Sequence, residues 1–353
     1  MSDQRRPYAR DAGLLVVAFV ATFILLAGIV VAVNSRPPID SAASGSPGPS
    51  QPSPAPASPT ASPASSDADP SGDASPTVSS SSSSLEPPGE DPVLVGAGDI
   101  AHCSHEEDEA TAKLLDDIPG TVFAAGDLAY GSGTERQFRD CYGPTWGRHL
   151  ERTRPVPGNH DYDTDEGRPY REYFGDAALG PDDETWYSFD LGTWHIVMLD
   201  SNCSHVDCEE ESDQVRWLTD DLAASDAECT AAIFHHPRFS SGFHGQDRDV
   251  APFWDVLYEA GADVVINGHD HDYERFAPQD PDANEDREAG LRQFVVGTGG
   301  VPLRDFEETA ANSELRAIAS HGVLKFTLRD GRYDWEFIAT SGPFSDRGSA
   351  ACH

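Results

Sequence analysis

From Arg36 to Asp91 the chain is nearly all Ser, Pro, Ala and Gly, and this stretch limits folding more than any other feature. It offers almost no apolar side chains to bury, so nothing offsets the entropy cost of ordering it, and its prolines bias the backbone toward extended polyproline geometry. Residues 34–91 therefore read as a disordered linker, which confines the folded part to 92–353. That is about 260 residues, enough for one domain with a large core. Ahead of the linker, residues 12–33 (AGLLVVAFVATFILLAGIVVAV) carry no charge. As a helix they would run roughly 33 Å, long enough to span a bilayer. The run exceeds the apolar core of a cleaved secretory signal, so a transmembrane signal-anchor is expected, with secretion after cleavage as the alternative. Arg5, Arg6 and Arg10 place residues 1–11 on the cytoplasmic side and everything beyond the span outside the cell.

The 61 Asp and Glu against 24 Lys and Arg give a formal net charge of −37. Binding to nucleic acid relies on basic residues that neutralise phosphates, so no nucleic-acid partner is expected, and the only membrane contact foreseen is through the N-terminal helix. The acid falls in the globular part, in runs such as Glu106–Glu109 and Asp280–Glu288.

Within 92–353, apolar runs that end in Gly or polar turns read as buried strands: Val93–Ala97, Thr121–Ala125, His195–Leu199, Ala231–Phe234, Asp263–Ile266 and Phe294–Val296. Helical patterns lie between several of them, at Ser104–Asp116 with a capping box of Ser104 and Glu107, at Ser212–Ala224 and at Asp249–Ala260. Hairpins are expected at Leu191-Gly192-Thr193 and at Asp330-Gly331. Alternating strands and helices with added hairpins predict an α/β fold with mixed sheets.

Several strand ends finish in metal-competent side chains: Gly98-Asp99, Gly126-Asp127-Leu128-Ala129-Tyr130, Gly158-Asn159-His160-Asp161, His235-His236-Pro237 and Gly268-His269-Asp270-His271. In open α/β sheets the carboxyl ends of strands hold ligands, because the loops diverge there, and a preceding Gly lets the chain turn sharply out of the strand. One Gly-Asp is an ordinary turn. Five such ends supplying carboxylates, an amide, a phenol and imidazoles in one chain are not.

The ordered set GDIAHC, GDLAY, PGNHD, HHP and GHDHDYER resembles the calcineurin-like metallophosphoesterases and, among them, the purple acid phosphatases, over essentially all of 92–353. Ala101 stands where most of the wider family has a metal-binding His, whereas Tyr130 follows Asp127 at the spacing of the purple branch; Asp270 and Asp272 depart from that branch's signature. The resemblance implies a four-layer α-β-β-α sandwich of two mixed sheets flanked by helices. It implies one metal held by Asp99, Tyr130 and His271, a second by Asn159, His235 and His269, and Asp127 bridging both. A phenolate suits Fe(III), while amide oxygen and imidazoles suit a divalent Fe, Zn or Mn. Two such ions would clamp a phosphate and generate hydroxide for in-line attack on a small-molecule phosphate monoester. His160 and His244 match the family's substrate-contacting histidines and would stabilise the phosphoryl oxygens or protonate the leaving group. His236 and His102 match no ligand position, and Glu274 and Arg275 read as structural supports. A phosphodiesterase or nucleotidase on the same centre is the alternative activity, and a non-catalytic surface interaction protein the alternative class. With an acidic surface, the metals would have to supply the positive field that attracts the ester. Oligomeric state is not legible.

All six cysteines lie in the globular part, which fits disulfides outside a cell. Cys203 and Cys208 are the pair with local support. Cys103 with Cys141 would tie together the loops after the first two strands, leaving Cys229 with Cys352, and other connectivities stay open.

Overall fold

The computed structural model describes residues 91–353. The N-terminal segment 1–11, the expected span at 12–33 and all of the expected linker except Asp91 lie outside the described residues; among the described residues no helix is long and apolar enough to cross a membrane.

The chain runs β1 (Val93–Ala97), β2 (Ala101–His102), α1 (Glu107–Asp117), β3 (Thr121–Ala125), β4 (Ala129–Tyr130), α2 (Glu135–Gln137), β5 (Thr153–Val156), α3 (Asn159–Tyr162), α4 (Arg168–Phe174), β6 (Tyr187–Leu191), β7 (Trp194–Met198), α5 (Asp213–Ala224), β8 (Cys229–Ile233), α6 (Ala251–Glu259), β9 (Val264–Asn267), β10 (Tyr273–Phe276), β11 (Arg292–Val296), β12 (Ser313–Ala317), β13 (Gly322–Arg329), β14 (Arg332–Ala339) and β15 (Arg347–Ala351). One sheet has the order β15-β14-β13-β1-β3-β5 and the other β12-β10-β11-β9-β8-β7-β6. Both are mixed: β1, β3 and β5 run parallel with β13 antiparallel to β1, and β7, β8, β9 and β11 run parallel with antiparallel β6 and β10 on either side. Both expected hairpins form, as β6–β7 and β13–β14.

Side-chain alternation along the strands divides the core. Ile196, Met198, Ile233, Ile266, Phe294 and Val296 face the first sheet, packed with Leu94, Phe123, Phe326 and Phe337. Their neighbours Val197, Leu199, Ala232, Phe234, Val265 and Val295 face the other way, against Val215 and Leu218 of α5 and Phe253, Trp254 and Leu257 of α6. A strand covered on both faces loses the apolar–polar alternation of a half-exposed one and reads as a continuous apolar run. Each such side chain contributes roughly 1.5–3 kcal/mol by leaving water, and α1 packs against β13 of the first sheet.

One expected helix start is corrected. α1 begins at Glu107 behind Glu106, with no side-chain cap; Ser104 instead bonds the ring of His102, its Oγ 2.8 Å from Nδ1. Ser212 does cap α5, accepting from the Val215 N–H at 3.1 Å. All six cysteines pair, as Cys103–Cys141, Cys203–Cys208 and Cys229–Cys352. The last of these ties the C-terminus to the start of β8.

Candidate metal centre

The parallel strands of the two sheets deliver their C-terminal loops to one place. After β1 and β3 the loops are laddered together: Asp99, Ile100 and Ala101 donate in turn to the carbonyls of Gly126, Asp127 and Leu128 at 3.0, 3.0 and 3.1 Å. The two-residue strands β2 and β4 continue that pairing, setting His102 opposite Tyr130. Behind them the buried Asp161 carboxylate accepts from the N–H groups of Gly158 (2.9 Å), Leu128 (3.1 Å) and Ala129 (3.3 Å), fixing the loop after β5 to the loop after β3. Asn202 supports it from below, donating to Pro157 O at 3.2 Å.

Three of the expected ligands hold strained backbone. Asp99, Asp127 and His269 have φ of 60°, 53° and 71°, a left-handed conformation that costs a non-glycine residue of order 1–3 kcal/mol and persists where surrounding contacts over-determine it. The sharp turn is thus made by the ligand itself at these sites. Gly126, at φ 82°, shares the turn before Asp127, and other glycines serve close approach: a Cβ on Gly158 would lie 2.2 Å from Asp127 Oδ1, and one on Gly268 2.7 Å from Asp99 Oδ2.

The donors gather as two groups meeting at Asp127. The Tyr130 hydroxyl lies 2.6 Å from Asp99 Oδ1, 2.8 Å from Asp127 Oδ2 and 3.1 Å from His271 Nε2, so its single proton serves one of three acceptors at a time. His271 Nε2 is 3.4 Å from Asp99 Oδ1, and its Nδ1 is turned to Pro302 O at 3.0 Å. On the other side, His235 Nε2 sits 3.4 Å from Asp127 Oδ2 and 3.3 Å from His269 Nδ1, while His235 Nδ1–H donates to Ala125 O at 2.8 Å. The backbone N–H of His269 donates to Asp99 Oδ2 at 2.7 Å. Asn159 stands at the first turn of α3, and its Oδ1 is buried with no hydrogen-bond partner. A buried amide oxygen left unpaired is costly; Asn202 Oδ1 and Gln293 Oε1 are also unpaired, but Asn159 stands beside these carboxylates and imidazoles, where a cation would satisfy it. Asp99, Asp127 and His235 bring ligand atoms within 4.8 Å of one another, as do His235, His236 and His269. Buried carboxylates, an unpaired amide oxygen and imidazoles whose far nitrogens are turned to backbone carbonyls fit a metal-binding cradle.

The protein's own field sets the protonation of these groups. Burial pushes the Asp99 carboxyl up to about 7, against the pull of the His235 charge. For Asp127, burial works against ionisation, but His235 holds it well below the carboxylate range. Burial would depress His235, yet the Asp127 charge and hydrogen bond raise it to about 9. Tyr130 is driven well above the usual phenol value by burial and by both carboxylates. Burial takes His271 down to about 4 and His269 well below its ordinary value.

His160 lines the rim, about one third exposed. Its backbone N–H donates to Asp127 Oδ1 at 2.8 Å, its Nδ1 is 3.0 Å from Gly131 O, and its ring lies 4.5 Å from that of Tyr130. His244 stacks 4.2 Å from His269. Two residues at the site were given no role by the sequence: His236, whose ring is 4.5 Å from His269 with Nδ1 on Ser201 Oγ at 2.9 Å, and Arg304, which donates to His244 Nε2 at 2.6 Å. Adjacency in the HHP string was the available signal for His236; Arg304 had none. Glu274 and Arg275 are structural, Glu274 accepting from Ser241 N–H at 2.8 Å and Arg275 donating to Asp346 at 2.8 Å. Asp270 ties down the 240–245 loop, accepting from His244 N–H at 2.7 Å and from Ser240.

Two facing mixed sheets with hard oxygen and imidazole donors at the strand ends define a metallophosphoesterase-type α/β protein. The family model for calcineurin-like phosphoesterases matches residues 92–273, and the chain belongs to that family. Within it the likeness is to the purple acid phosphatases. The chain is 29% identical to purple acid phosphatase 21 of Arabidopsis thaliana over 69% of its own length and 62% of that protein's. It is 31% identical to purple acid phosphatase 18 of the same plant over 47% and 41% respectively, so it spans less than two thirds of these relatives. Among solved structures, a purple acid phosphatase from yellow lupin seeds superposes with a TM-score of 0.60 at 19% identity, over 74% of this chain and 53% of that one. GAP50, the anchor in the inner membrane complex of Plasmodium, also gives 0.60 at 14% identity, over 75% and 90%; at such identities these two show the fold alone.

Proposed function

We propose that residues 92–353 form the catalytic domain of a dinuclear metal-dependent hydrolase of phosphate monoesters, held outside the cell by a membrane span expected at 12–33. The observation that carries this reading is the position of Asp127, in reach of Tyr130 on one side and His235 on the other, with the unpaired Asn159 Oδ1 as an independent sign of a cation. On this reading Asp99, Tyr130 and His271 would hold one ion, Fe(III), while Asn159, His235 and His269 would hold a divalent Fe, Zn or Mn, with Asp127 available to both. Once bound, the ions supply Lewis acidity toward the phosphoryl oxygens and activate water. The protein's residues do the rest. The Asp161 carboxylate and the laddered loops keep the donors in place, and the buried floor keeps bulk water away from them. A guanidinium cannot accept a hydrogen bond, so while Arg304 donates to His244 Nε2 that ring carries its proton on Nδ1. Held in that neutral form, His244 can donate an Nδ1–H hydrogen bond to a phosphoryl oxygen but cannot protonate the leaving group, since losing its one proton would leave an imidazolate; on this reading the proton for the leaving oxygen falls to His160, which can present Nε2.

Paired assays on a monoester and a diester of the same alcohol, run on intact cells, test activity and topology together, because charged esters do not cross a membrane. Metal-dependent turnover of the monoester in preference to the diester, by cells with unbroken membranes, is expected. Diester preference, or activity seen only after lysis, would refute the corresponding half.

Metal loading should release protons. Ligands bind metal deprotonated, whereas at pH 7 the metal-free centre retains protons on His235, raised to about 9, and partly on Asp99, raised to about 7. Apparent affinity should therefore rise with pH from about 6 to 9, as proton competition fades. Zinc titrations by calorimetry in two buffers of different ionisation enthalpy read the proton count directly; identical heats would show that no proton leaves.

A further inference from the structure

Two large apolar side chains among the described residues are exposed, Phe243 at 56% and Ile318 at 39%. A single exposed phenylalanine needs no explanation. Phe243 differs because its surroundings fix it beside the metal-binding residues. Its loop is pinned to the buried Asp270, through the N–H groups of His244 at 2.7 Å and Gly245 at 3.3 Å. Gly242 lies so close to the same carboxylate that a Cβ there would approach Asp270 Cγ to 2.3 Å. Arg304 braces the loop, its guanidinium lying over one face of the Phe243 ring. Its guanidinium carbon is 5.2 Å from the Phe243 ring centre, it donates to His244 Nε2 at 2.6 Å, and its backbone N–H donates to His271 O at 3.0 Å. The rings of His269, His244 and Phe243 thus form a row, with centres 4.2 Å and then 5.2 Å apart, leading from an expected metal ligand out to solvent.

We propose that Phe243, braced by Arg304, is a stacking platform for an aromatic ring in the leaving group. The favoured esters are then phosphate monoesters whose ring is set back from the ester oxygen by a spacer, the chemistry of a nucleoside 5′-phosphate. The proposal rests on the monoester reading of the metal centre above. The row of rings sets the spacing: with the phosphoryl group at the donors beside His269, a ring bonded directly to the ester oxygen would lie against His244, and only one carried further by a sugar reaches Phe243. The segment after Arg304 bears the exposed acids Asp305, Glu307 and Glu308, which repel additional phosphates and favour a monophosphate with an uncharged base. Aromatic stacking on a base is worth enough to matter here, on the order of tenfold or more in binding.

The test compares adenosine 5′-phosphate with ribose 5-phosphate, which has the same primary ester and no base, on the metal-loaded full chain. A kcat/KM ratio on the order of tenfold in favour of the nucleotide is expected. It should fall toward one in Phe243→Ala and be retained in Phe243→Tyr, which keeps the ring. A second measurement needs no turnover: magnetisation transfer from the protein to the base protons of adenosine should be present in the wild type and weakened in Phe243→Ala. Equal ratios in wild type and Phe243→Ala, or unchanged transfer to adenosine, would overturn the platform while ribose 5-phosphate turnover left the monoester reading standing. Failure of the loaded protein to hydrolyse either ester would remove both.

Discussion

Asp127→Asn should lower metal-dependent turnover by at least about a hundredfold, with the loss of bound metal as its cause. Even groups that merely orient a metal ligand cost about 10–100-fold when replaced, and Asp127 lies closer to the chemistry than any orienting group. Its Oδ2 is within 3.4 Å of His235 and 2.8 Å of the Tyr130 hydroxyl, and its Oδ1 accepts from the His160 N–H. An amide at this position keeps the shape but gives up the negative charge, and one of its two heads becomes a donor facing other donors. The substitution also has a signature in the metal-free protein. With Asp127 ionised, His235 is raised to about 9 in spite of its burial. With that charge gone, burial meets only the weaker pull of Asp99 and of the Ala125 carbonyl, and the imidazole should titrate clearly lower than about 9. Three measurements separate the possibilities: metal content, turnover, and the His235 titration followed by NMR. Circular dichroism like that of the wild type, little metal, negligible turnover and a His235 titration lower than in the wild type are expected together. Full metal content with wild-type rates in Asp127→Asn would remove the basis for a centre built on this carboxylate.

The parts of the fold legible in the sequence are those whose physics is local. β1 and β3 coincide with their expected runs because VLVGA and TVFAA are buried on both faces and stop at a glycine. The hairpin strands β13 and β14 were visible for a different reason: their residues alternate between buried and partly exposed, and Asp330-Gly331 marks the turn, with Gly331 at φ 65°. β5 was missed, since Thr153–Val156 carries an arginine and a proline; it is held in the sheet by parallel pairing with β3, a non-local contact. β15 was missed because RGSAA has little to bury and forms an edge strand beside β14. The capping box at Ser104 failed because the serine found a nearer partner in His102, a competition that residue spacing does not reveal. At the site, the motif strings were legible in the sequence, but the contacts that position their side chains were not. Asp161 acts through three backbone N–H groups, Asp270 through a loop some 25 residues away in sequence, and Arg304 from an irregular segment with no motif. Backbone strain at Asp99, Asp127 and His269 is a property of the closed structure alone.

Tyr130→Phe should abolish visible absorption in the iron-loaded protein. The phenol sits between two buried carboxylates, with its hydroxyl oxygen 2.6 Å from Asp99 Oδ1 and 2.8 Å from Asp127 Oδ2, and burial together with those charges pushes its ionisation well above the ordinary phenol value. Left to the protein's own field, Tyr130 stays protonated at any physiological pH. A highly charged cation placed between Asp99, Tyr130 and His271 reverses the sign of that field, and a phenolate is the hard, anionic donor that a trivalent iron favours over a divalent ion. Phenolate bound to Fe(III) absorbs visible light by charge transfer, so colour reports whether Tyr130 has lost its proton to a metal. Phenylalanine cannot ionise, and its isosteric ring still fills the space against His160, so the variant should fold, remain colourless and lose activity by about 10–100-fold, as when a group tuning a metal site is removed. A wild-type protein that is colourless and fully active with zinc or manganese alone would separate this chain from the purple branch it resembles. Colour surviving in Tyr130→Phe would assign the chromophore to a different side chain and leave Tyr130 as a hydrogen-bond donor to Asp99 and Asp127.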